Sequence, residues 1–265
     1  MKSIDPSGST ITLEMDRSSL GLPSTISACL FDLDGVLTQT ARVHAVAWKT
    51  TFDGYLKQRA ERTAEWFKPF DPVADYDEYV DGKPREEGVR SFLASQGITL
   101  PEGSEDDPPE ADTIHGLGNR KDQLFLHLIR TQGVKTYEGS IRYVHAAKKA
   151  ALKVAVVTSS RNCTEVLRAA RLEGVFDAQV DGNVAHARRL AGKPAPDTYL
   201  EAARMVGGTP SGSAIYEDAV AGVEAGRAGA FGLVVGVDRV GQAAALRQHG
   251  ADVVVKDLAD LLKPN

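Results

Sequence analysis

The sequence predicts an α/β fold in which a parallel β-sheet is interrupted, early in the chain, by a long helical insertion. From residue 137 onward, apolar runs typical of strands alternate with helical segments, which is the pattern of a parallel sheet. Residues 41–136 show helical spacing with long loops and little strand signal. One apolar strand, at residues 27–31, precedes them and belongs with the later strands. The helical insertion, residues 41–136, is therefore expected to extend from the carboxyl end of that first strand.

Length and composition are those of an ordinary globular protein. The chain has 265 residues, of which 42% are hydrophobic and 25% charged, so it can bury a sizeable core. A net charge of −5 gives no reason to expect nucleic acid or a membrane surface as a partner. Since neither a membrane span nor the apolar segment of a secretory signal is visible, a cytoplasmic location is expected. Cys29 and Cys163 lie in apolar or helical context, and we expect buried thiols rather than a disulfide framework.

The elements are predicted in order along the chain. Residues 1–25 are rich in Ser, Thr and Gly and form an N-terminal arm, in which residues 10–15 fit either an edge strand or a frayed segment. The helical insertion follows Thr40, a possible N-cap, and its helices are expected at 41–67, 87–96 and 116–129. Further strands are expected at 153–160, 178–181, 213–216, 231–235 and 252–255. Helices between these strands are expected at 140–151, 162–171 and 198–206, and another, containing Gly222, Gly226 and Gly229, after residues 217–218.

The end of the first strand carries two carboxylates one residue apart. Asp32 and Asp34 occupy positions i and i+2, so their side chains leave the strand on the same side. Buried carboxylates this close repel each other unless a cation or a shared proton neutralises them. Gly35 permits a sharp turn just beyond them. The pattern fits a site for Mg²⁺ and a phosphate, although the stretch taken alone is more typical of a solvated Asp-rich turn.

Other predicted strands bring polar residues to the same edge of the sheet. In open α/β sheets, ligands bind outside the carboxyl ends of the strands. Thr158 ends the second core strand, Lys193 precedes a later helix, and Glu217 with Asp218 follows the fourth strand. Carboxylate oxygens are ligands that Mg²⁺ prefers, and a lysine and a hydroxyl can offset the charge of a phosphoryl group. The rest of the chain therefore favours the interpretation as a phosphoryl-transfer site.

This combination resembles the haloacid dehalogenase-like superfamily over residues 27–257. Phosphotransferases of that superfamily carry D-x-D-x-[TV] on the first strand, a Ser or Thr after the second, a Lys, and a later acidic pair. Asp32-Leu33-Asp34-Gly35-Val36, Thr158, Lys193 and Glu217-Asp218 match these motifs in order. The resemblance implies a Rossmann-like parallel-sheet core with an inserted α-helical cap. The implied boundaries are an N-terminal arm over 1–25, a core over 26–40 and 137–265, and a cap over 41–136.

The resemblance also implies a chemical role for each core residue. Asp32 would be the nucleophile that forms an aspartyl-phosphate, and Asp34 the general acid and base. Thr158 and Lys193 would complete the catalytic set. Mg²⁺ would be held by Asp32, by the backbone carbonyl of Asp34, and by Glu217 or Asp218. The Lys193-Pro194 peptide bond is a candidate for the cis form.

Within the superfamily, the chain is most similar to the β-phosphoglucomutase family. The similarity lies in residues 31–41 with the following His44 and Trp48, and in Gly192-Lys193-Pro194-Ala195-Pro196-Asp197. It implies a small phosphorylated sugar as substrate. The residues implied to bind that substrate or to support its binding are Thr40, His44, Trp48, Gly82, Arg85, Lys121, Ser159, Ser160, Arg161 and Asn162. Without the resemblance, Arg85 and Lys121 would be interpreted as solvated surface charge, and His44 as a packed or capping histidine.

The implied activity is Mg²⁺-dependent interconversion of β-glucose 1-phosphate and glucose 6-phosphate, primed by glucose 1,6-bisphosphate, in a monomer. A sugar-phosphate phosphatase is the alternative, because Asp34 could activate water as well as a sugar hydroxyl. A non-catalytic protein on this fold is a third possibility, which the intact motif residues disfavour. Three departures leave the sugar and its anomer open: Asp81 where Lys is usual, Glu87-Gly88 where a Ser is expected, and extra residues between Trp48 and Asp81.

Overall fold

The computed structural model describes residues 3–4, 10–11, 17–64 and 66–263. Near the N-terminus, β1 (Ser3–Ile4) pairs antiparallel with β2 (Thr10–Ile11), apart from the main sheet. The remainder of the edge strand predicted over 10–15 lies outside the described residues. A 3₁₀ turn at Arg17–Leu20 follows. Leu20 and Leu22 are buried in the core, so the arm predicted over 1–25 joins the core before its end.

A six-stranded, all-parallel sheet lies at the centre, in the order β5-β4-β3-β6-β7-β8. Its strands are β3 (Ala28–Phe31), β4 (Lys153–Val157), β5 (Ala178–Val180), β6 (Ser213–Glu217), β7 (Leu233–Val237) and β8 (Val253–Val255). The predicted α/β fold with a parallel sheet is confirmed. All four residues of β3 are buried, since helices cover both faces of the sheet. β3 lies between β4 and β6, so the residues that end these three strands are neighbours.

The helices of the insertion pack around a hydrophobic cluster of their own. They are α1 (Thr40–Thr63), α2 (Arg85–Ser95) and α3 (Ile114–Gln132), with a π-helical turn at Tyr76–Val80 between α1 and α2. Phe52, Phe92 and Leu117 are completely buried in this cluster. Phe52 and Phe92 have ring centroids 4.3 Å apart. The residues between Trp48 and Asp81 thus contribute apolar side chains to a packed unit.

In the part of the chain that the structure describes, six helices belong to the core. They are α4 (Glu138–Lys149), α5 (Cys163–Ala169), α6 (Gly182–Arg188), α7 (Asp197–Met205), α8 (Val220–Ala228) and α9 (Ala243–Gln248). Along β3, Cys29 and Phe31 belong to one hydrophobic cluster and Leu30 to the other, as side chains that alternate across a strand must. Helices α6 and α9 were not predicted, and both are short, with seven and six residues.

The two segments that join the helical insertion to the core are hydrogen-bonded to each other. The backbone N–H of Gln39 donates to Lys135 O at 2.8 Å, and that of Tyr137 donates to Leu37 O at 2.9 Å. The chain therefore leaves the core and returns to it side by side, just beyond the loop that carries Asp34.

The structure also bears on two expectations from the sequence: that the cysteines are buried thiols, and that the chain shows no membrane span. Cys29 and Cys163 are buried and free, as predicted. Burial raises the pKa of the Cys29 thiol to about 12, so this thiol is neutral at physiological pH. Across the described residues, no helix is long and apolar enough to cross a membrane.

Candidate active site

Asp32, Lys193 and Glu217 form a buried charge cluster at the carboxyl end of the sheet. Lys193 Nζ lies 2.5 Å from Asp32 Oδ1 and also donates to Glu217. The Tyr199 hydroxyl donates to the same Glu217 carboxylate at 2.7 Å. Burial favours a neutral lysine, but the two carboxylates more than offset this and raise the pKa of Lys193. Lys193 is therefore a fixed cation between the two acidic strand ends, and the Lys193-Pro194 peptide bond is cis, as predicted.

Carboxylates outnumber cations in this cluster. Burial raises the pKa of Asp32, with Lys193 opposing and with Glu217 and Asp34 adding to the shift. Burial also raises the pKa of Asp218, reinforced by its acidic neighbours. Oxygens of Asp32, Glu217 and Asp218 lie within 4.8 Å of one another. Such a set of buried, mutually repelling oxygen ligands fits a divalent cation such as Mg²⁺.

Gly35 allows the two acidic loops to meet. Its φ of +93° is strained for residues with a side chain, and a Cβ at this position would overlap the carboxylate of Asp218. The Asp218 side chain therefore occupies the space beside the turn that follows Asp34. The sequence-based role of Gly35 as a turn residue is consistent with this geometry.

Asp34 lies among hydroxyl donors rather than beside the lysine. Thr158 Oγ1 donates to its Oδ2 at 3.0 Å, Thr40 donates to its Oδ1, and His44 Nε2 lies 3.4 Å from Oδ1. Burial favours the protonated acid, but His44 and the two hydroxyls outweigh it and lower the pKa of Asp34 below its usual value. Asp34 is therefore ionised at neutral pH and ready to accept a proton.

Thr40 has a different place from the one predicted. It is the first residue of α1, not its N-cap, since Gln39 holds the N-cap position. The Thr40 side chain is buried behind Asp34, to which its hydroxyl donates. Thr is a frequent N-cap because its oxygen can accept from the free N–H groups of a helix, but here the Thr40 hydroxyl instead donates to the carboxylate of Asp34.

Behind Asp34, His44 is hydrogen-bonded to Lys121. Lys121 Nζ lies 2.5 Å from His44 Nδ1 and 4.9 Å from the centroid of the Trp48 ring. Burial and the charge of Lys121 lower the pKa of His44, so its imidazole is neutral at neutral pH. A charged lysine can only donate, so Nδ1 must accept and the imidazole proton must be on Nε2, facing Asp34. Burial, above all, also lowers the pKa of Lys121 to about 8.

A cavity of about 300 Å³ separates this edge of the sheet from the helical insertion. Fourteen of the predicted site residues line it: Asp32, Asp34, His44, Trp48, Gly82, Arg85, Lys121, Thr158, Ser159, Ser160, Arg161, Asn162, Glu217 and Asp218. Thr40 and Lys193 lie behind its wall, bonded to Asp34 and Asp32. The structure thus gathers the predicted residues of the core and of the helical insertion around one space.

On the far side of the cavity, Arg85 is held by two carboxylates. Arg85 Nε lies 3.2 Å from Glu86 Oε1, and Nη1 lies 3.0 Å from Asp122 Oδ1. Asp122 also accepts from Asn162 Nδ2 at 2.7 Å, which links the helical insertion to the core. Glu86 and Asp122 were missed from the sequence, although each directly follows a predicted phosphate ligand. Acidic neighbours of basic residues are common on solvated helix faces, so their position offered no signal.

Asp81, one of the noted departures, also lines the cavity. Burial, then Glu217 and Asp77, raise the pKa of Asp81 to about 7, against a hydrogen bond from Tyr76. Where related sequences are expected to carry a lysine, this protein thus has a carboxyl group whose ionisation is suppressed by its surroundings. The change alters the charge on the wall of the cavity without removing any residue of the buried cluster.

Comparison with known proteins gives consistent matches. The family model of the haloacid dehalogenase-like hydrolases matches residues 26–229. Beta-phosphoglucomutases of Mycobacterium bovis and Mycobacterium tuberculosis are 56% identical over 252 residues, covering 94% of this chain and 96% of those proteins. The beta-phosphoglucomutase of Bacillus subtilis is 32% identical over 237 residues, covering 89% and 92%. A crystal structure of a Clostridium difficile beta-phosphoglucomutase has a similar fold, with a TM-score of 0.70 at 23% identity, covering 89% of this chain and 93% of that one.

Proposed function

The chain belongs to the haloacid dehalogenase-like hydrolase family and is an enzyme of the β-phosphoglucomutase type. We propose the following roles for its residues in the interconversion of β-glucose 1-phosphate and glucose 6-phosphate. The observation that carries the proposal is the contrast between two neighbouring carboxylates. Asp32 is held beside Lys193 within the acidic cluster, whereas Asp34 is held ionised by hydroxyls and His44. One is placed to bond to phosphorus and the other to carry a proton.

The acidic cluster would hold Mg²⁺ through Asp32, Asp218 and the backbone carbonyl of Asp34. Glu217 is the weaker candidate of the acidic pair, because its carboxylate already accepts from Lys193 and Tyr199. When bound, Mg²⁺ would offset negative charge on the phosphoryl oxygens. Lys193 supplies a second, permanent positive charge at the same place.

Asp32 and Asp34 divide the transfer between them. An oxygen of Asp32 bonds to phosphorus as the bond from phosphorus to the sugar oxygen breaks, giving an aspartyl-phosphate. In the other half-reaction, Asp34 takes the proton of a sugar hydroxyl as that hydroxyl oxygen attacks the phosphorus on Asp32. The proton returns to a sugar oxygen when Asp32 next accepts a phosphoryl group. Glucose 1,6-bisphosphate is then both the primer and the species formed between the half-reactions.

The helical insertion, residues 41–136, acts in this proposal as a cap that binds the second phosphate. Arg85 on α2 and Lys121 on α3 both line the cavity opposite the buried cluster. A phosphate would replace Glu86 and Asp122 as the partner of Arg85, since bidentate phosphate contacts suit its planar guanidinium. Closing the cavity excludes water, which favours transfer to a sugar hydroxyl over hydrolysis.

The product decides between a mutase and a phosphatase. Purified protein with Mg²⁺, β-glucose 1-phosphate and a catalytic amount of glucose 1,6-bisphosphate should form glucose 6-phosphate, with little inorganic phosphate. An Asp32→Asn variant serves as the blank. Release of inorganic phosphate with a higher kcat/KM than isomerisation would instead identify a sugar-phosphate phosphatase.

Arg85→Ala should impair the mutase reaction far more than simple hydrolysis. Loss of a contact that positions the second phosphate should lower kcat/KM for β-glucose 1-phosphate roughly 100-fold. Hydrolysis of a small aryl phosphate, which has no second phosphate, should change little. Arg90→Ala is the matched control, because Arg90 lies on the same helix but is exposed and paired with Glu102. Equal losses on both substrates would show that Arg85 does not bind the distal phosphate.

Deprotonation of Lys121 should weaken substrate binding at alkaline pH. Its pKa of about 8 means that it is cationic below that pH and neutral above it, so phosphate binding should weaken as the pH rises through this range. KM for β-glucose 1-phosphate should therefore rise above about pH 8 in the wild type. In Lys121→Arg, KM should stay level to higher pH, because arginine remains protonated. Identical pH profiles of KM for the two proteins would exclude Lys121 as the titrating group.

We further propose that the protein works as a cytoplasmic monomer. All residues assigned to the metal and to both phosphates come from one chain, and both cysteines are free thiols suited to a reducing compartment. Size-exclusion chromatography with light scattering tests the monomer, and fractionation of cells tests the location.

A further inference from the structure

We propose that residues 238–242, the segment between β7 and α9, position the two acidic loops of the active site relative to each other. Arg239 holds the loop that follows Asp34, and Gln242 holds the loop that carries Asp218. Neither side chain lines the cavity, so both act through the residues they hold. The idea rests on the proposed function only in assuming that these loops serve a metal-dependent transfer.

Arg239 is bonded to the backbone of the first acidic loop. Its Nε donates to Gly35 O at 2.8 Å and its Nη2 to Val36 O at 3.2 Å. Its Nη1 donates to Lys256 O at 2.8 Å, which fastens the same guanidinium to the end of β8. The side chain is only 12% exposed. A single, largely enclosed side chain thus connects the turn after Asp34 to the end of the edge strand β8.

The guanidinium also contacts the segment by which the chain returns from the helical insertion. Arg239 Cζ lies over the Tyr137 ring, 3.5 Å from its centroid. A guanidinium placed in this way is attracted to the face of the aromatic ring. The Tyr137 backbone N–H in turn donates to Leu37 O. Arg239 additionally lies 3.3 Å from the Ser140 hydroxyl and 3.6 Å from Asp257. These contacts leave the guanidinium little freedom to shift.

Gln242 holds the second acidic loop. Its Nε2 donates to the backbone carbonyl of Asp218 at 2.9 Å. The segment is itself anchored, since Asp238 Oδ1 accepts from the backbone N–H groups of Gly241 at 2.7 Å and Gln242 at 2.8 Å. Arg239 and Gln242 are therefore separated by two residues of a locally fixed turn, and each reaches a different acidic loop.

The spacing of these loops matters for a metal site. The Asp218 carboxylate occupies the space beside Gly35, so a shift of either loop changes how the carboxylates face one another. Mg²⁺ requires near-ideal octahedral geometry and tolerates little displacement of its ligands. Partners that orient metal ligands typically contribute a factor of about 10 to 100 in metal affinity or activity. Arg85 and Lys121, the proposed phosphate-binding residues, lie on α2 and α3 and are bonded to Glu86, Asp122 and His44 rather than to this segment.

The test uses conservative variants with matched controls on α9. Arg239→Lys keeps the charge but loses the planar fork that reaches several carbonyls at once. Gln242→Met keeps the length of the side chain but loses its donor. Arg247→Lys and Gln248→Met are the same changes at exposed positions of α9. The four variants and the wild type are compared by calorimetric titration with Mg²⁺, by steady-state kinetics and by thermal unfolding.

Arg239→Lys and Gln242→Met should each raise the Kd for Mg²⁺ and lower kcat, by roughly tenfold. KM for β-glucose 1-phosphate at saturating Mg²⁺ should stay within about twofold, and the controls should match the wild type. A Kd and kcat like those of the controls would overturn the inference. A rise in KM as large as the fall in kcat would also overturn it, because the substitution would then affect substrate binding. A loss of activity fully explained by a lower Tm would overturn it as well.

The same data separate this inference from the proposed function. Wild-type protein that fails to isomerise the sugar phosphate, while the variants still bind Mg²⁺ more weakly, would refute the mutase assignment and support the positioning role. Wild-type protein that isomerises normally, with variants indistinguishable from the controls, would do the opposite. If Arg239→Lys does not fold, Gln242→Met alone decides the outcome.

Discussion

Replacing Asp32 with Asn is expected to lower kcat by about 10⁴-fold or more, the scale on which enzymes lose activity with their nucleophile. The amide keeps the size of the side chain and can still accept a hydrogen bond from Lys193, so the fold should persist. It cannot form a stable bond to phosphorus. Intact-mass measurement after incubation with glucose 1,6-bisphosphate should detect a phosphorylated wild type and an unmodified variant.

Asp106→Asn is the control for this experiment, because Asp106 lies on an exposed loop of the helical insertion. It should be phosphorylated and turn over like the wild type. A phosphoryl group on the Asp32→Asn protein, or residual turnover near that of the control, would assign the nucleophile to another residue.

Replacing Lys193 with Met should abolish turnover and also destabilise the protein. Removing one partner of a buried ion cluster leaves uncompensated charge, which typically costs about 3–5 kcal/mol. Here the remaining groups are Asp32 and Glu217, both of which lose their cation. Chemical denaturation measures the free energy of unfolding. Lys57→Met, an exposed position on α1, is the matched control.

Two conditions should reduce the stability loss in Lys193→Met. Since burial already raises the pKa of Asp32 above its unfolded value, loss of the lysine raises it further. Ionised Asp32 then destabilises the folded variant most. The loss in free energy of unfolding should therefore become smaller as the pH falls and Asp32 is protonated, and larger as the pH rises. Added Mg²⁺ should also raise the Tm of the variant, because the cation replaces part of the missing charge. A variant that unfolds like the Lys57→Met control at every pH would contradict the assigned role of Lys193.

The carboxyl edge of the sheet could be predicted from sequence because its strands leave little ambiguity. Strands buried on both faces, such as β3 and β6, are continuous apolar runs, and each ends abruptly in carboxylates. The parallel arrangement then requires Asp32 and Glu217 to lie at one edge. Lys193 follows no strand, so its place between them depended on the resemblance to known phosphotransferases.

The partners of the site residues could not be predicted in the same way. Arg85 and Asp122 lie on different helices, and their pairing depends on how α2 and α3 pack, which no local pattern encodes. Arg239 shows the limit most clearly. It is a single arginine in a loop, and its proposed positioning role depends on hydrogen bonds to the backbone carbonyls of Gly35, Val36 and Lys256. These residues are distant from it in the sequence.

The paired crossing segments, with Gln39 bonded to Lys135 and Tyr137 to Leu37, have an evolutionary consequence. A module that enters and exits a scaffold through one narrow ribbon can be lengthened, trimmed or exchanged without altering the register of any strand. The segment between Trp48 and Asp81, which packs within the insertion and joins no strand of the sheet, could change in this way. Selection can thus diversify what the enzyme recognises while its chemical machinery stays constant.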